Sequence, residues 1–123
     1  MEYFDLNNGT RMPMAGIGVF KLSPDEAEAS VESALRSGIR LIDTANAYMN
    51  ESATGRGIRN SGVAREEIFL VSKLWPTVYA KETAVDEMLA RLGTDYVDLL
   101  FLHQPTDNWR EGYRNIEKAY REG

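Results

Sequence analysis

The chain has 123 residues, 43% hydrophobic and 27% charged, with a net charge of -5. That length suits one compact domain, and an acidic balance without any run of Lys or Arg argues against a nucleic-acid surface. No stretch approaches the roughly 18 consecutive apolar residues of a membrane span, cysteine is absent, and Met1-Glu2-Tyr3-Phe4-Asp5 lacks the regions of a secretory signal, so a cytoplasmic protein is expected.

Tyr3 to Asn7 and Thr10 to Pro13 flank Asn8-Gly9, a pair that predicts a hairpin with a two-residue type I′ turn. Met14 to Phe20, a short apolar run containing Gly16 and Gly18, reads as a buried strand. Ser23-Pro24-Asp25-Glu26 opens a helix. Ser23 caps, Pro24 suits the first position, and Glu26 completes a capping box. Ala27, Val31, Ala34 and Leu35 follow at helical spacing, and Gly38 is a natural stop. Ile39 to Asp43 reads as a strand, and Glu51 to Ser61 as a weak helix containing Gly55 and Gly57. Ile68 to Lys73 is a strand bounded by Trp75-Pro76. Val78 to Leu92 is a helix with Val85, Met88, Leu89 and Leu92 on one face and Gly93 as its stop. Tyr96 to Leu102 is the most apolar strand, closed by His103-Gln104-Pro105, and Trp109 to Glu122 is a last helix.

Strands alternating with helices imply βαβ units and a parallel sheet, and near-continuous apolar strands imply burial on both faces. Eight such units make a TIM (β/α)8 barrel of about 250 residues. Four units here read as half of that barrel, cut in the loop after the fourth helix, with residues 1–13 as hairpin and 14–123 as the βα units. A doubly wound dinucleotide fold needs G-x-G-x-x-G between a strand and a helix. Gly16-Ile17-Gly18-Val19-Phe20-Lys21 and Gly55-Arg56-Gly57-Ile58-Arg59-Asn60 both fail at the last position. Asn8-Gly9-Thr10 and Asn50-Glu51-Ser52 match the N-glycosylation pattern, read as accidental without a signal peptide.

Active sites of parallel barrels lie at the C-terminal ends of the strands. The second, third and fourth strands end in Asp43, Lys73 and His103, and Tyr48 follows Asp43 in the same rim loop. Taken singly, each has a structural explanation. Asp43 before Thr44 shapes a turn, Lys73 is solvated as it leaves its strand, His103 is satisfied by backbone, and Tyr48 packs under its loop. Together they occupy equivalent places in consecutive units, which points to one shared site. His103 is the single histidine, so multi-histidine metal centres are excluded and no metal site is expected.

Ile39-Arg40-Leu41-Ile42-Asp43-Thr44-Ala45-Asn46-Ala47-Tyr48 is similar to the aldo-keto reductase segment that supplies a catalytic Asp and Tyr. Val71-Ser72-Lys73-Leu74-Trp75 resembles that family's lysine strand, and Leu89 to His103 resembles its next signature, ending on a catalytic His. The likeness covers essentially the whole chain and implies the N-terminal half of that family's barrel, with the hairpin plugging its bottom. It also implies NADPH as cofactor and a small-molecule aldehyde or ketone as substrate. On that resemblance Tyr48 is the general acid and Lys73 supports the charge left on its oxygen. Asp43 holds Lys73, and His103 orients the substrate oxygen. Asp43 and Lys73 would border the cofactor; Phe20, Tyr48, Trp75, His103 and Gln104 would line the substrate pocket.

Two positions depart from the pattern. Met49 stands where the family usually has glycine, on a backbone that a side chain would strain, and Ile39 replaces an aromatic residue. The family's later strands, which grip most of the cofactor, lie outside this sequence, so the other half is expected from a longer chain or another one. A competing expectation is a non-enzymatic half-barrel that associates with itself or a partner through its open edges. A barrel lyase or isomerase using Lys73 as a Schiff base would leave Asp43 and Tyr48 unexplained.

Overall fold

The computed structural model describes residues 1–123. Strand β1 (Tyr3–Asp5) pairs antiparallel with β2 (Arg11–Pro13), Tyr3 opposite Pro13 and Asp5 opposite Arg11. The hairpin forms, but its turn is not type I′, because Asn8 keeps a negative φ and only Gly9 is left-handed, at φ +84°. Leu6 N donates to Thr10 O at 2.8 Å and Gly9 N to Leu6 O at 3.0 Å. The loop is therefore Asn7-Asn8-Gly9, a tight turn followed by a left-handed glycine. The Asn8 side-chain oxygen explains the choice, accepting from Thr10 N at 3.1 Å and from the Thr10 hydroxyl at 2.7 Å.

Four βα units follow. The strands are β3 (Gly16–Gly18), β4 (Leu41–Asp43), β5 (Phe69–Leu74) and β6 (Leu99–Leu102), and the helices are α1 (Pro24–Arg36), α2 (Glu51–Ser61), α3 (Ala84–Leu92) and α4 (Trp109–Glu122). The strands form one parallel sheet in sequence order, with Gly18, Asp43, Val71 and Leu99 aligned across it. Helix α1 starts as its sequence predicts: Ser23 Oγ accepts from Glu26 N at 3.2 Å while Glu26 Oε1 accepts from Ser23 N at 3.1 Å. Its end closes with Gly38 N on Leu35 O and Ile39 N on Ala34 O, the paired bonds of a Schellman stop.

Alternation along the strands assigns the two faces of the sheet. Ile42, Leu70 and Leu74 point into a core shared with Val31 and Leu35 of α1, Ile58 of α2 and Val85, Met88 and Leu92 of α3. Each of these burials is worth about 1.5–3 kcal/mol. Leu41, Asp43, Phe69, Val71 and Lys73 therefore take the opposite face. Central strand β5 is buried along most of its length, as its apolar run implies, whereas edge strand β6 is only half-buried.

Elements are shorter than their sequence patterns where tertiary contacts intervene. The segment from Val78 to Leu92 is not one helix: Pro76–Val78 form a 3-10 turn and α3 begins only at Ala84. The carbonyls of Pro76 and Tyr79 accept instead from the side-chain amides of Asn108 and Asn115, at 2.9 and 2.7 Å. The turn is thereby tied to the fourth unit. The last strand begins at Leu99 rather than Tyr96 because Asp98 Oδ2 takes Leu70 N (2.9 Å) and Arg65 Nη2 (3.0 Å). Phe20 lies beyond its strand, which stops at Gly18.

Two glycines did not weaken α2 enough to prevent it, because a neighbour needs the space. A side chain at Gly55 would collide with the Leu92 carbonyl oxygen at the end of α3. Gly55→Ala is therefore expected to lower stability by about 1–2 kcal/mol, overpacking outweighing a helix-propensity gain of about 1 kcal/mol. A urea midpoint that stays level or rises would show that α2 and α3 can separate at no cost.

Candidate active site

Three side chains of the expected site, Asp43, Lys73 and His103, are delivered at strand ends. Asp43 closes β4, Lys73 is the fifth residue of β5, and His103 follows β6 directly, its amide donating to Leu74 O at 3.0 Å. Because β4 and β5 are paired in register, with Asp43 opposite Val71, Lys73 stands two residues further along the same face and reaches back across the strand end. Tyr48 ends a 3-10 turn, Asn46–Tyr48, between β4 and α2.

Lys73 Nζ gathers the group. It donates to Asp43 Oδ1 at 2.7 Å, to Thr44 O at 2.9 Å and to the Tyr48 hydroxyl oxygen at 3.4 Å. All three donor positions of the ammonium are thereby used. The lysine side chain is 16% exposed and that of Asp43 33%, so the pair is partly withdrawn from water yet open to a small molecule on one side.

A row of rings adjoins it. Phe20, 61% exposed, packs on Tyr48 with centroids 5.1 Å apart. The Tyr48 and His103 rings meet edge-on at 5.8 Å, and His103 and Trp75 at 5.2 Å. Of the five residues expected to line the pocket, four, Phe20, Tyr48, Trp75 and His103, come together. Gln104 is exposed, and its hydrogen bonds are made by its backbone, to the Tyr79 hydroxyl and to Thr106 N.

Burial among these rings disfavours a charged imidazole, so the His103 pKa is lowered from its ordinary 6.5. The Lys73 charge adds to the effect and Asp43 partly offsets it. His103 Nδ1 is buried without a partner. An orphaned buried N–H is rarer than an orphaned acceptor, which favours the tautomer carrying its proton on Nε2. A depressed folded value means that the unfolded chain takes up the proton first. Stability from this group is present above pH 6.5 and lost as the pH falls through the folded value.

Four supporting residues carry no local sequence signal. Thr44 acts through its carbonyl. Asn50 is buried, its Nδ2 donating to Val19 O at 2.9 Å and Leu22 O at 3.2 Å, which pins the Phe20 loop to the Tyr48 loop. Buried Glu51 accepts from Ser72 Oγ and from Arg91 Nε, both at 2.9 Å, behind the lysine strand. Tyr79 was expected inside a helix. A capping-type Asn before Glu51 hints at a helix start, yet the Asn50 side chain does not cap α2. Met49 is left-handed, at φ +60°, and 82% exposed, so the strain expected of a side chain at that place is present and no packing compensates it.

The Aldo/keto reductase family model matches residues 9–123. The chain is 48% identical over 125 residues to morphine 6-dehydrogenase of Pseudomonas putida, covering 97% of this chain and 42% of that protein. It is 46% identical over 123 residues to glyoxal reductase of Bacillus subtilis, covering 96% and 45%. Among solved structures, an aldo/keto reductase from Brucella melitensis superposes with a TM-score of 0.94 at 43% identity, covering 99% of this chain and 49% of that one. The chain thus spans less than half the length of these relatives, and its fold is the expected half of a (β/α)8 barrel.

Because there is one histidine, an imidazole NMR titration reports the site without ambiguity. Its midpoint is expected below 6.5, and Lys73→Met should raise it by removing a cation and leaving Asp43 unbalanced. A wild-type midpoint at or above 6.5 would place the ring in water rather than among Tyr48, Trp75 and Lys73.

Proposed function

The chain belongs to the aldo/keto reductase family, and on that footing we propose that it carries the catalytic side chains of an NADPH-dependent reductase converting an aldehyde or ketone to an alcohol. The observation that carries this reading is the Lys73 ammonium, bonded at once to the Asp43 carboxylate and to the Tyr48 hydroxyl oxygen. A phenol accepting from an ammonium keeps its own O–H free to donate elsewhere. That is the arrangement of a general acid with a built-in charge stabiliser.

The residues present suit a reduced nicotinamide as neighbour. Bare Gly18 leaves the Asp43 carboxylate uncovered, since a side chain there would come within 3.8 Å of Asp43 Oδ2. Asp43 and Lys73 would be this chain's contacts to the cofactor. When bound, the cofactor supplies hydride to the carbonyl carbon.

Every other task falls to the protein. His103, kept neutral by burial, donates from Nε2 to the carbonyl oxygen and sets its position. Tyr48 O–H delivers its proton to the same oxygen as negative charge builds there. Lys73, 3.4 Å from the Tyr48 oxygen, stabilises the charge left behind, and Asp43 and the Thr44 carbonyl keep the ammonium aimed. Phe20 and Trp75 form apolar walls that exclude water from the donors and strengthen them. A small-molecule carbonyl is the partner, and the cytoplasm is the setting. Residues 1–13 contribute the hairpin and 14–123 the catalytic units.

The test is NADPH consumption by the chain, with NADH in parallel, across a panel of aldehydes and ketones. Tyr48→Phe is expected to lower kcat by about 10²–10⁴-fold while the His103 resonances keep a folded pattern. Turnover that survives this substitution undiminished removes Tyr48 from the acid role.

A further inference from the structure

We propose that Tyr79 is a positioning residue for His103, its hydroxyl clasping the peptide of the next residue in the chain and so setting where the imidazole points. The inference rests on the reductase reading, in which His103 orients the substrate oxygen.

Tyr79 is 0% exposed and lies in the turn between β5 and α3. A buried phenol needs partners for its polar end. Here one residue supplies both: the hydroxyl donates to Gln104 O at 2.8 Å and accepts from Gln104 N at 2.9 Å. A phenylalanine would fill the same space, so the oxygen serves the Gln104 peptide rather than the packing.

The clasp is itself held in place. Gly112 of α4 packs closely against Tyr79, where a side chain would come within 2.8 Å of Cγ, and Asn115 Nδ2 donates to the Tyr79 carbonyl at 2.7 Å. His103 is thus fixed on its N-terminal side by the sheet, through its amide on Leu74 O, and on its C-terminal side by Tyr79.

The imidazole itself is not steered by a hydrogen bond. Its Nδ1 is buried without a partner, and its neighbours are the ring edges of Trp75 and Tyr48 and the charges of Lys73 and Asp43. With no side-chain bond to set the ring, its direction depends on the backbone at 103 and 104. A small release at Gln104 therefore becomes a misaimed donor.

The test uses the full chain labelled with ¹⁵N-histidine, whose one imidazole gives one set of signals. In Tyr79→Phe the far-ultraviolet circular dichroism is expected to stay native. The imidazole signals should move and the titration midpoint rise toward the ordinary 6.5 as the ring meets water. Where turnover is measured, kcat should fall by roughly 10- to 100-fold with the KM for NADPH unchanged. Gly55→Ala, which strains the α2–α3 contact and touches neither Tyr79 nor Gln104, should lower the melting temperature while leaving the imidazole signals at their wild-type positions. Unchanged imidazole signals in Tyr79→Phe, or the same displacement in Gly55→Ala, overturn the proposal. The signals are read without turnover, so an inactive chain counts against the reductase reading while a displaced imidazole still upholds the clasp.

Discussion

Lys73 brings a full positive charge to the end of β5 with 16% of its side chain exposed, and a charge so placed must be met by acceptors. Three oxygens meet it, each from a different piece of backbone: the Asp43 carboxylate at the end of β4, the Thr44 carbonyl just beyond, and the Tyr48 hydroxyl from the following turn. The rim loop after β4 is thereby wrapped around one ammonium. Parallel pairing of β4 with β5 makes this geometry available, since it puts both strand ends at the same edge of the sheet.

Behind the sheet a second charged group serves the same strand. Ser72 sits beside Lys73 in β5 and faces the helices, where its hydroxyl donates to buried Glu51, which also accepts from Arg91 of α3. Removing one partner of such a pair leaves a buried charge uncompensated, so the interaction works less as added stability than as a demand for one arrangement. Glu51 opens α2, directly after Asn50 has tied the Phe20 and Tyr48 loops together. The loop that carries the proposed acid is therefore fixed at both ends, Thr44 bonded to Lys73 at its start and Asn50 and Glu51 anchored at its finish. The left-handed strain at Met49 is borne within that short span.

On the other side of Lys73 the constraint is apolar. Trp75, His103 and Tyr48 meet edge to face, and burial lowers the pKa of the imidazole. An imidazole and a phenol beside a fixed cation are two groups of different character held within one row of rings. The contacts from α4 to the Tyr79 turn extend the same order outward, linking the last helix to the strand end that bears His103.

Much of this was legible in the sequence. The capping box at Ser23 and Glu26, the two-glycine helix and the last helix from Trp109 to Glu122 follow from local rules of spacing and capping and lie where those rules place them, while Asp43, Lys73 and His103 lie within one residue of the ends of their strands. The order of elements was enough to imply a parallel sheet and a shared rim. Local pattern could not locate the starts of α3 and β6, because side chains distant in sequence, Asn108, Asn115 and Arg65, compete for the backbone there. Nor could it find Thr44, Asn50, Glu51 or Tyr79, whose parts depend on backbone carbonyls and partners about 20 to 40 residues away. Periodicity and capping are short-range and are written in the chain itself. Which oxygen meets a buried donor is settled only when strands and helices from separate units close on each other.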